Sequence, residues 1–247
     1  MITTYILISL AALFGGFASA AGGGGGILTT ATLLLVGLPP HVVLGTNKLI
    51  TSANAFSSAT LYMKRRVLRL STWIASMIAV FVGAIVGVAL ACWFDARTLS
   101  ILLPIIIALL ALYYFFPQSR VNEISSAPSR AGKIINLIVS FAISVYGGFF
   151  GAGVGLMWPV AGEQCFRLSR LEAIALGRLM CLITNITALI VFMWFHQVDY
   201  MLGIVASAFG FFGSYLGVHV SFKLNPAVLR RSMASMALLM SVYLLLH

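Results

Sequence analysis

One stretch of the chain limits its fold more than any other feature does. Residues 71 to 94, STWIASMIAVFVGAIVGVALACWF, contain no charged side chain and are apolar on every face. A helix needs roughly 20 such residues to cross a bilayer, because about 1.5 Å of rise per residue must cover a hydrocarbon core of roughly 30 Å. A transmembrane β-strand would be shorter and would alternate apolar with polar residues. The stretch therefore predicts a membrane-spanning helix.

The composition extends this prediction to the whole chain. Hydrophobic residues make up 61% of the 247 residues and charged residues only 8%, and the mean hydropathy is +1.07. A soluble domain needs a far more charged surface, so that class is excluded. We predict an all-α polytopic membrane protein that forms a single membrane domain, 1–247. Six spans are predicted, at 42–62, 71–94, 98–117, 173–195, 200–221 and 226–246.

The basic residues indicate how the chain is oriented. The net charge of +10 comes from short clusters between spans, at 64–69, 118–133 and 223–231. Such clusters are typical of cytoplasmic loops, and we place all three in the cytoplasm. We therefore expect the lipid bilayer, and no nucleic acid, as the partner of this charge.

Metal sites, cofactors and catalysis have little support in the sequence. The four histidines lie on different segments, and the three cysteines lack metal-type spacing, so we interpret the cysteines as buried apolar residues. No nucleotide motif and no nucleophile with its base can be recognised. We predict no cofactor and no metal, and we predict that the protein is not an enzyme.

An internal repeat is predicted from the two halves of the chain. The loop 118–133 separates repeat one, 1–117, from repeat two, 134–247, and FVGAIVGV (81–88) aligns with FFGSYLGV (211–218) at an offset of 130. The same offset pairs Lys48 with Arg178. An offset of 132 pairs FGGFASAAGGGGG (14–26) with YGGFFGAGVG (146–155). With the three basic clusters on one side, the halves cross the membrane in opposite directions, as inverted-topology repeats.

Each repeat begins with an apolar segment that glycines interrupt, at 2–37 and 134–162. We predict that each is a broken or re-entrant glycine-rich helix hairpin, followed by three transmembrane helices. Irregular backbone is tolerated at membrane depth only beside protein or a water-filled cavity, so the breaks predict a cavity. Helices restarting near Ile27 and after Gly155 would point their positive ends at it, which favours an anion.

Two cations lie at membrane depth in the predicted spans. A helix starting at Pro40 carries Thr46, Asn47 and Lys48 inward, Lys48 to a depth of roughly 12 Å. Neither Lys48 nor Arg178 has an acidic partner within its own segment, so an anionic ligand would resolve the cost of burying them. The alternative is that both side chains reach the interface or bond backbone carbonyls.

For other polar and small residues of the spans, the choice is between a role in the site and a structural role. Asn54, Thr184 and Asn185 either line a path or join neighbouring helices. For Gly83, Gly87, Gly213 and Gly217 we favour helix packing, because small residues four apart let membrane helices approach. The acidic residues Glu163, Glu172 and Asp199 lie near predicted helix ends, which favours capping over proton coupling.

Repeat one contains GGGGGILTTATLLLVGLPPHVVLGTNKLITSANAFSSATLY, and repeat two contains YGGFFGAGVG and VDY (198–200). Through these residues nearly the whole chain resembles the sulfite exporter TauE/SafE family, also called the TSUP family. The resemblance implies a bacterial inner-membrane transporter of sulfur-containing anions such as sulfite, sulfoacetate or other organosulfonates. It assigns path residues to both repeats, namely Gly22, Gly23, Gly24, Gly25, Gly26, Thr46, Asn47, Lys48, Asn54, Gly151, Gly153, Gly155 and Asn185.

Two departures from the family pattern affect the expected substrate. Repeat two has ALGRLM (175–180) where a lysine is usual, and the planar guanidinium of Arg178 suits bidentate oxyanion contact. WPVAGEQCF (158–166) places a proline and an acid in an expected apolar run. We predict a small anionic substrate of the sulfite or sulfonate class at a midplane site, alternating access and export. An anion channel, a carrier of another small solute and an intramembrane enzyme remain alternatives, and a homodimer is compatible with these features.

Overall fold

The computed structural model describes residues 2–20, 24–64, 68–115, 130–220 and, within 235–246, all but 237 and 245. These residues form helices and no strand. A short 3-10 helix, Leu70–Trp73, precedes α4, and helical residues also occur in 235–246. The main helices are α1 Ile2–Ala20, α2 Gly26–Leu35, α3 Pro40–Lys64, α4 Ile74–Trp93, α5 Ala96–Phe115, α6 Arg130–Phe149, α7 Val154–Gln164, α8 Arg170–Trp194 and α9 Tyr200–Val220.

Five of the helical segments are long and apolar enough to cross a membrane. They are Ile2–Ala20, Leu70–Trp93, Gly132–Phe149, Arg170–Trp194 and Tyr200–Val220. The protein is therefore a multi-pass membrane protein, as predicted. The predicted spans 42–62 and 98–117 form α3 and α5, which are not among the five. Helix α3 is rich in buried polar residues and lies inside the bundle, and most of the predicted span 226–246 lies outside the described residues.

Each of the two interrupted segments is a broken helix, which is one of the two forms that were predicted. Each consists of a helix of full spanning length followed by a half-length helix: α1 has 19 residues and α2 has 10, while α6 has 20 and α7 has 11. The breaks fall at the glycines, as predicted. A purely re-entrant reading is wrong in one respect, because α1 and α6 are themselves long enough to cross the bilayer.

The helices pack in parallel groups. Gly213 and Gly217 of α9 lie against Leu13 and Phe17 of α1, in the same chain order, so these helices run parallel. Helix α3 also runs parallel to α9, because Thr46 bonds Asp199 and Asn54 bonds Ser214. Helices α4 and α6 form a second parallel pair, in which Gly83 and Gly87 lie against Phe141 and Val145.

Helices α3 and α8 run antiparallel to each other. Gly45 near the start of α3 lies against Phe192 near the end of α8, whereas Tyr62 near the end of α3 shares a buried cluster with Ala175 near the start of α8. This crossing brings the middle of each helix towards the centre of the bundle. The predicted substrate-binding residues on these two helices are Thr46, Asn47, Lys48, Asn54, Arg178, Thr184 and Asn185.

The four glycines on α4 and α9 have the packing role that was predicted for them. A Cβ atom at Gly83 would lie 2.7 Å from the carbonyl oxygen of Phe141, and Cβ atoms at Gly87, Gly213 and Gly217 would overlap the facing backbone more severely. Real Cβ atoms do not approach so closely, so these positions need glycine. The cysteine interpretation holds for Cys181, which is buried, but it is wrong for Cys165, which is exposed.

Candidate anion-binding site

In the first break, Gly25 is required by close approach of the backbone. Gly25 has ordinary right-handed angles, with φ −57° and ψ −20°, so no unusual backbone angle requires glycine there. A Cβ atom at Gly15 would lie 2.8 Å from the Gly25 carbonyl oxygen, and one at Gly25 would overlap Gly15. The end of α1 therefore packs directly on the start of α2. Gly22 and Gly23 lie outside the described residues.

The second break uses glycine for its backbone angles. Gly151 and Gly153 have φ of +82° and +84°, in the left-handed region that disfavours every other residue. Helix α7 begins at Val154, so Gly155 lies inside its first turn. The expectation that the helix restarts after Gly155 is therefore wrong by about half a turn, because Gly153 already serves as its N-cap.

A cavity of about 30 Å³ joins the two breaks. It lies where the N-terminal ends of α2 and α7 meet the middle of α3 and α8. Eight predicted site residues line it: Gly24, Gly26, Asn54, Gly151, Gly153, Gly155, Arg178 and Asn185. The structure thus brings together residues that are up to 161 positions apart, from Gly24 to Asn185.

Lys48 is the most deeply buried cation of the described chain. Its side chain is fully buried, and its ammonium donates a hydrogen bond to the carbonyl oxygen of Gly147, in the last turn of α6. The backbone of Gly151 passes directly beside Nζ, and a Cβ atom there would overlap it. Lys48 of repeat one therefore reaches the break of repeat two, where a positive charge also complements the C-terminal end of α6.

Arg178 faces the cavity with an unused donor. The side chain is 3% exposed, and one terminal nitrogen donates to the Gly155 carbonyl oxygen at 3.4 Å. The Nε–H group is buried and has no hydrogen-bond partner. A buried donor without a partner is costly, and more so on a charged group, so this N–H is suited to an anionic acceptor.

The remaining predicted residues connect helices. Thr46 accepts a bond from the backbone N–H of Asp199 (2.9 Å), and Asn47 accepts one from Thr29 (2.6 Å). The Thr184 hydroxyl donates to the Met180 carbonyl oxygen (2.9 Å) and lies 3.0 Å from the Ser144 hydroxyl. Gly25, Thr46, Asn47, Lys48 and Thr184 are not on the cavity wall.

Asn54 lines the cavity and also joins neighbouring helices. With its amide nitrogen turned towards α9 it donates to the carbonyl oxygens of Ile50 (3.1 Å) and Gly210 (3.0 Å). The Ser214 hydroxyl donates to the backbone carbonyl of Asn54 at 2.7 Å. Asn54 thus fixes α3 to α9 at the level of the cavity.

Sequence reasoning missed five residues of the cavity wall: Ser19, Thr51, Ala55, Val154 and Cys181. Thr51 follows Lys48 by three residues, and Cys181 follows Arg178 by three. Residues three or four apart share a helix face, so helical spacing from the two cations could have identified both. The Cys181 thiol interacts electrostatically with both Lys48 and Arg178.

Two acidic residues have the capping role that was predicted. Glu172 forms a capping box with Ser169 at the start of α8, accepting bonds from its backbone N–H (3.0 Å) and its hydroxyl (2.6 Å). Asp199 accepts a bond from the Leu202 N–H (3.0 Å) at the start of α9. Neither carboxylate lines the cavity.

The sequence is similar to those of known membrane proteins. The family model for sulfite exporter TauE/SafE matches residues 8–244. A probable membrane transporter protein of Haemophilus influenzae is 27% identical over 85% of this chain and 82% of its own length. The probable membrane transporter protein YfcA of Escherichia coli K12 is 26% identical over 95% of this chain and 87% of its own. No solved structure matches the chain. With nearly its whole length matched, this membrane transporter belongs to the sulfite exporter TauE/SafE family.

Proposed function

We propose that the protein is a secondary transporter of sulfur-containing oxyanions, of the sulfite or organosulfonate class, with its binding site at the cavity between the two breaks. The observation that carries this proposal is the unpartnered Nε–H of Arg178, buried at the wall of that cavity. A guanidinium presents its donors in a plane and suits an oxyanion with several acceptor oxygens. Sulfite and sulfonate groups have this chemistry.

The electrostatics around the cavity support an anion over a neutral or cationic solute. Helices α2 and α7 both begin at the cavity, and neither has an acidic residue in its first turn. Lys48 and Arg178 add two positive charges, and the bonds recorded for them in the described chain go to backbone carbonyls rather than carboxylates. Positive helix ends and unpaired cations together favour a negative ligand.

The packing supports two inverted repeats. Helices α3 and α8 both have 25 residues and begin 130 positions apart, at Pro40 and Arg170, and they run antiparallel. The parallel pairs α4 with α6 and α9 with α1 use glycines in matching positions. Gly83 faces the backbone of Phe141, and Gly213 faces the backbone of Leu13, which lies 128 positions earlier than Phe141. Matching these two contacts aligns α1 with α6 at an offset of 128. This offset is about one helical turn from the value of 132 that the glycine tracts suggested.

The size of the cavity supports alternating access. About 30 Å³ accommodates a water molecule or two, so it must widen before a sulfite or sulfonate group enters. The cavity lies between elements of both halves, and a rocking of one half against the other would open it to either side in turn. An anion would be driven out of the cell by the membrane potential, at about 2.3 kcal/mol per charge per 100 mV, which favours export.

The location that we propose is the bacterial inner membrane. Helices α4 and α6 run parallel, so two described basic residues, Arg69 just before the 3-10 helix that leads into α4 and Lys133 in the first turn of α6, lie at the same end of the bundle. The positive-inside rule then places that end in the cytoplasm. The cluster 223–231 lies outside the described residues.

Flux measurements on purified protein test the proposal. Radiolabelled sulfite and sulfoacetate uptake into proteoliposomes would be compared for the wild type, Lys48→Gln and Arg178→Gln. We expect flux to fall at least about tenfold in both variants, because each loses a buried charged donor. Matched controls are Lys64→Gln and Arg170→Gln, which remove exposed cations from the ends of α3 and α8.

The outcomes separate the parts of the proposal. Loss of flux in both Lys48→Gln and Arg178→Gln, and in neither control, supports one anion path. Wild-type flux in both of these variants would make Lys48 and Arg178 structural cations and refute the site. A wild type that carries neither anion would refute the substrate class, whatever the variants do.

A further inference from the structure

A second cavity opens between the N-terminal ends of α4 and α6, away from the site above. Its volume is about 730 Å³. Its wall contains the hydroxyl residues Ser71, Thr72 and Ser76, together with Lys133 and Asn136. The rest of its wall is apolar and comes from Trp73, Ile74, Ala75, Ile78 and Leu137. We call it the polar cavity for its five polar residues, and it lies at the end of the helix bundle that we place in the cytoplasm.

The polar cavity continues into an apolar groove between the same helices. The groove has a volume of about 460 Å³ and is lined by Ala75, Ile78, Ala79, Leu137, Ile138 and Phe141. Three of these residues, Ala75, Ile78 and Leu137, also line the polar cavity. Ile78 is 59% exposed and Ile138 is 62% exposed, so the groove faces the lipid. A polar pocket that leads into a lipid-facing groove has the shape of a headgroup followed by an acyl chain.

The charge at the polar end is not balanced by the residues that line it. Lys133 lies in the first turn of α6 and is exposed, and none of the described residues that line the cavity is acidic. The first turns of α4 and α6 contain no acidic residue either. A lysine at the positive end of a helix is unfavourable unless an anion neutralises it.

Asn136 provides an independent indication of a ligand. Its side chain is 5% exposed, its amide oxygen has no hydrogen-bond partner, and it lines the polar cavity. A buried amide oxygen normally accepts a hydrogen bond. A phosphate cannot donate one at neutral pH, but a hydroxyl on the alcohol of a phosphodiester headgroup can.

We propose that this site binds an anionic phospholipid whose headgroup carries a hydroxyl, such as phosphatidylglycerol. The phosphate pairs with Lys133 and with the hydroxyls of Ser71 and Thr72, a headgroup hydroxyl donates to Asn136, and one acyl chain lies in the groove over Ile78 and Leu137. A second copy of the chain fits the surface less well, because a symmetric contact would bring a second Lys133 to a surface whose described residues include no acid.

Native mass spectrometry and thermal unfolding of the purified protein test this site without any measurement of transport. The delipidated protein in detergent would be titrated with phosphatidylglycerol, with phosphatidylcholine of the same acyl chains, and with glycerophosphoglycerol, which has the headgroup but no acyl chain. We expect phosphatidylglycerol adducts and a rise in the unfolding temperature that the other two compounds do not reproduce.

Two exposed positions provide variants that should fold normally. Lys133→Gln should weaken the apparent affinity for phosphatidylglycerol about fivefold, the contribution of one interfacial cation. Ala75→Phe should reduce lipid retention by filling the place where the cavity and the groove meet. Lys64→Gln is the matched control, because it removes an exposed lysine at the end of α3 that does not line the cavity.

Several results would overturn the proposal. Equal stabilisation by phosphatidylcholine would remove the role of charge, and an equal effect of glycerophosphoglycerol would indicate a soluble phosphodiester in place of a lipid. A dimer that forms without lipid adducts, and that Ala75→Phe disrupts, would assign the groove to a second copy. Unchanged affinity in Lys133→Gln, with Lys64→Gln also unchanged, would remove the phosphate contact.

Discussion

Gly151→Ala should disable the candidate site through a clash with Lys48. The cost of this clash can be measured separately from the cost of the unfavourable backbone angle at position 151. Gly151 has φ +82°, and its Cβ atom would overlap Lys48 Nζ and lie 3.0 Å from the Gly147 carbonyl oxygen. The lysine is flexible and can move aside, but it then loses its bond to Gly147 inside a buried site. A non-glycine residue in the left-handed region costs about 1–2 kcal/mol. A buried donor left without a partner adds about 1–3 kcal/mol.

Gly37→Ala is a matched control for the backbone cost alone. Gly37 also has φ +82°, and nothing lies within 4 Å of its Cβ position. It should therefore lose only about 1–2 kcal/mol, or roughly 2–8 °C of unfolding temperature at about 2–4 °C per kcal/mol for a chain of this size. Gly151→Ala should lose about 2–5 kcal/mol, the sum of both costs. Anion flux in proteoliposomes should fall only in Gly151→Ala.

A double-mutant cycle with Lys48→Met isolates the contact with the ammonium. If the lysine causes the extra cost, Gly151→Ala should destabilise the Lys48→Met protein by about 1–2 kcal/mol only. Thermal unfolding in detergent measures all four proteins of the cycle. Additive losses, or equal losses for Gly151→Ala and Gly37→Ala in the wild-type background, would refute the proposed coupling between Lys48 and the second break.

Three further predictions concern packing, a buried hydrogen bond and access to the cavity. Gly87→Leu should separate α4 from α6 and lower the free energy of unfolding by at least about 1–3 kcal/mol, measured by thermal unfolding. The control is Val86→Leu, at a side chain that is one position away and 38% exposed. Equal stability of the two variants would contradict the packing. Tyr62→Phe removes the bond from its hydroxyl to the Ala20 carbonyl oxygen (3.2 Å) and should cost about 0.5–1.5 kcal/mol, whereas Tyr200→Phe, at an exposed tyrosine, should cost less. In a Cys92→Ser/Cys165→Ser background, iodoacetamide should alkylate the buried Cys181 slowly, and sulfoacetate should slow this reaction further. Mass spectrometry follows the labelling. A labelling rate that sulfoacetate does not change would place Cys181 outside the anion path.

Much of the fold follows from patterns that are local in sequence. Apolar runs of spanning length require helices in lipid, because each backbone polar group must be satisfied within its own segment. Pro40 suits the first turn of a helix, and α3 begins there. The glycine tracts interrupt both predicted segments, and the spacing of Gly83, Gly87, Gly213 and Gly217 identifies the helix faces that pack closely. The cations Lys48 and Arg178 were identifiable because a charge in an apolar segment needs a partner.

Only the tertiary structure decided which of these residues meet. Sequence could not distinguish Gly25, which needs glycine because Gly15 of α1 lies against it, from Gly151 and Gly153, which need it for their backbone angles. It placed Thr46 and Asn47 with Lys48 in one motif, although their side chains bond other helices. The direction of a side chain depends on the neighbours that pack around its helix. For the same reason the unpartnered Nε–H of Arg178 and the bond from Lys48 to Gly147, which is 99 positions away in the chain, emerge only in the folded bundle.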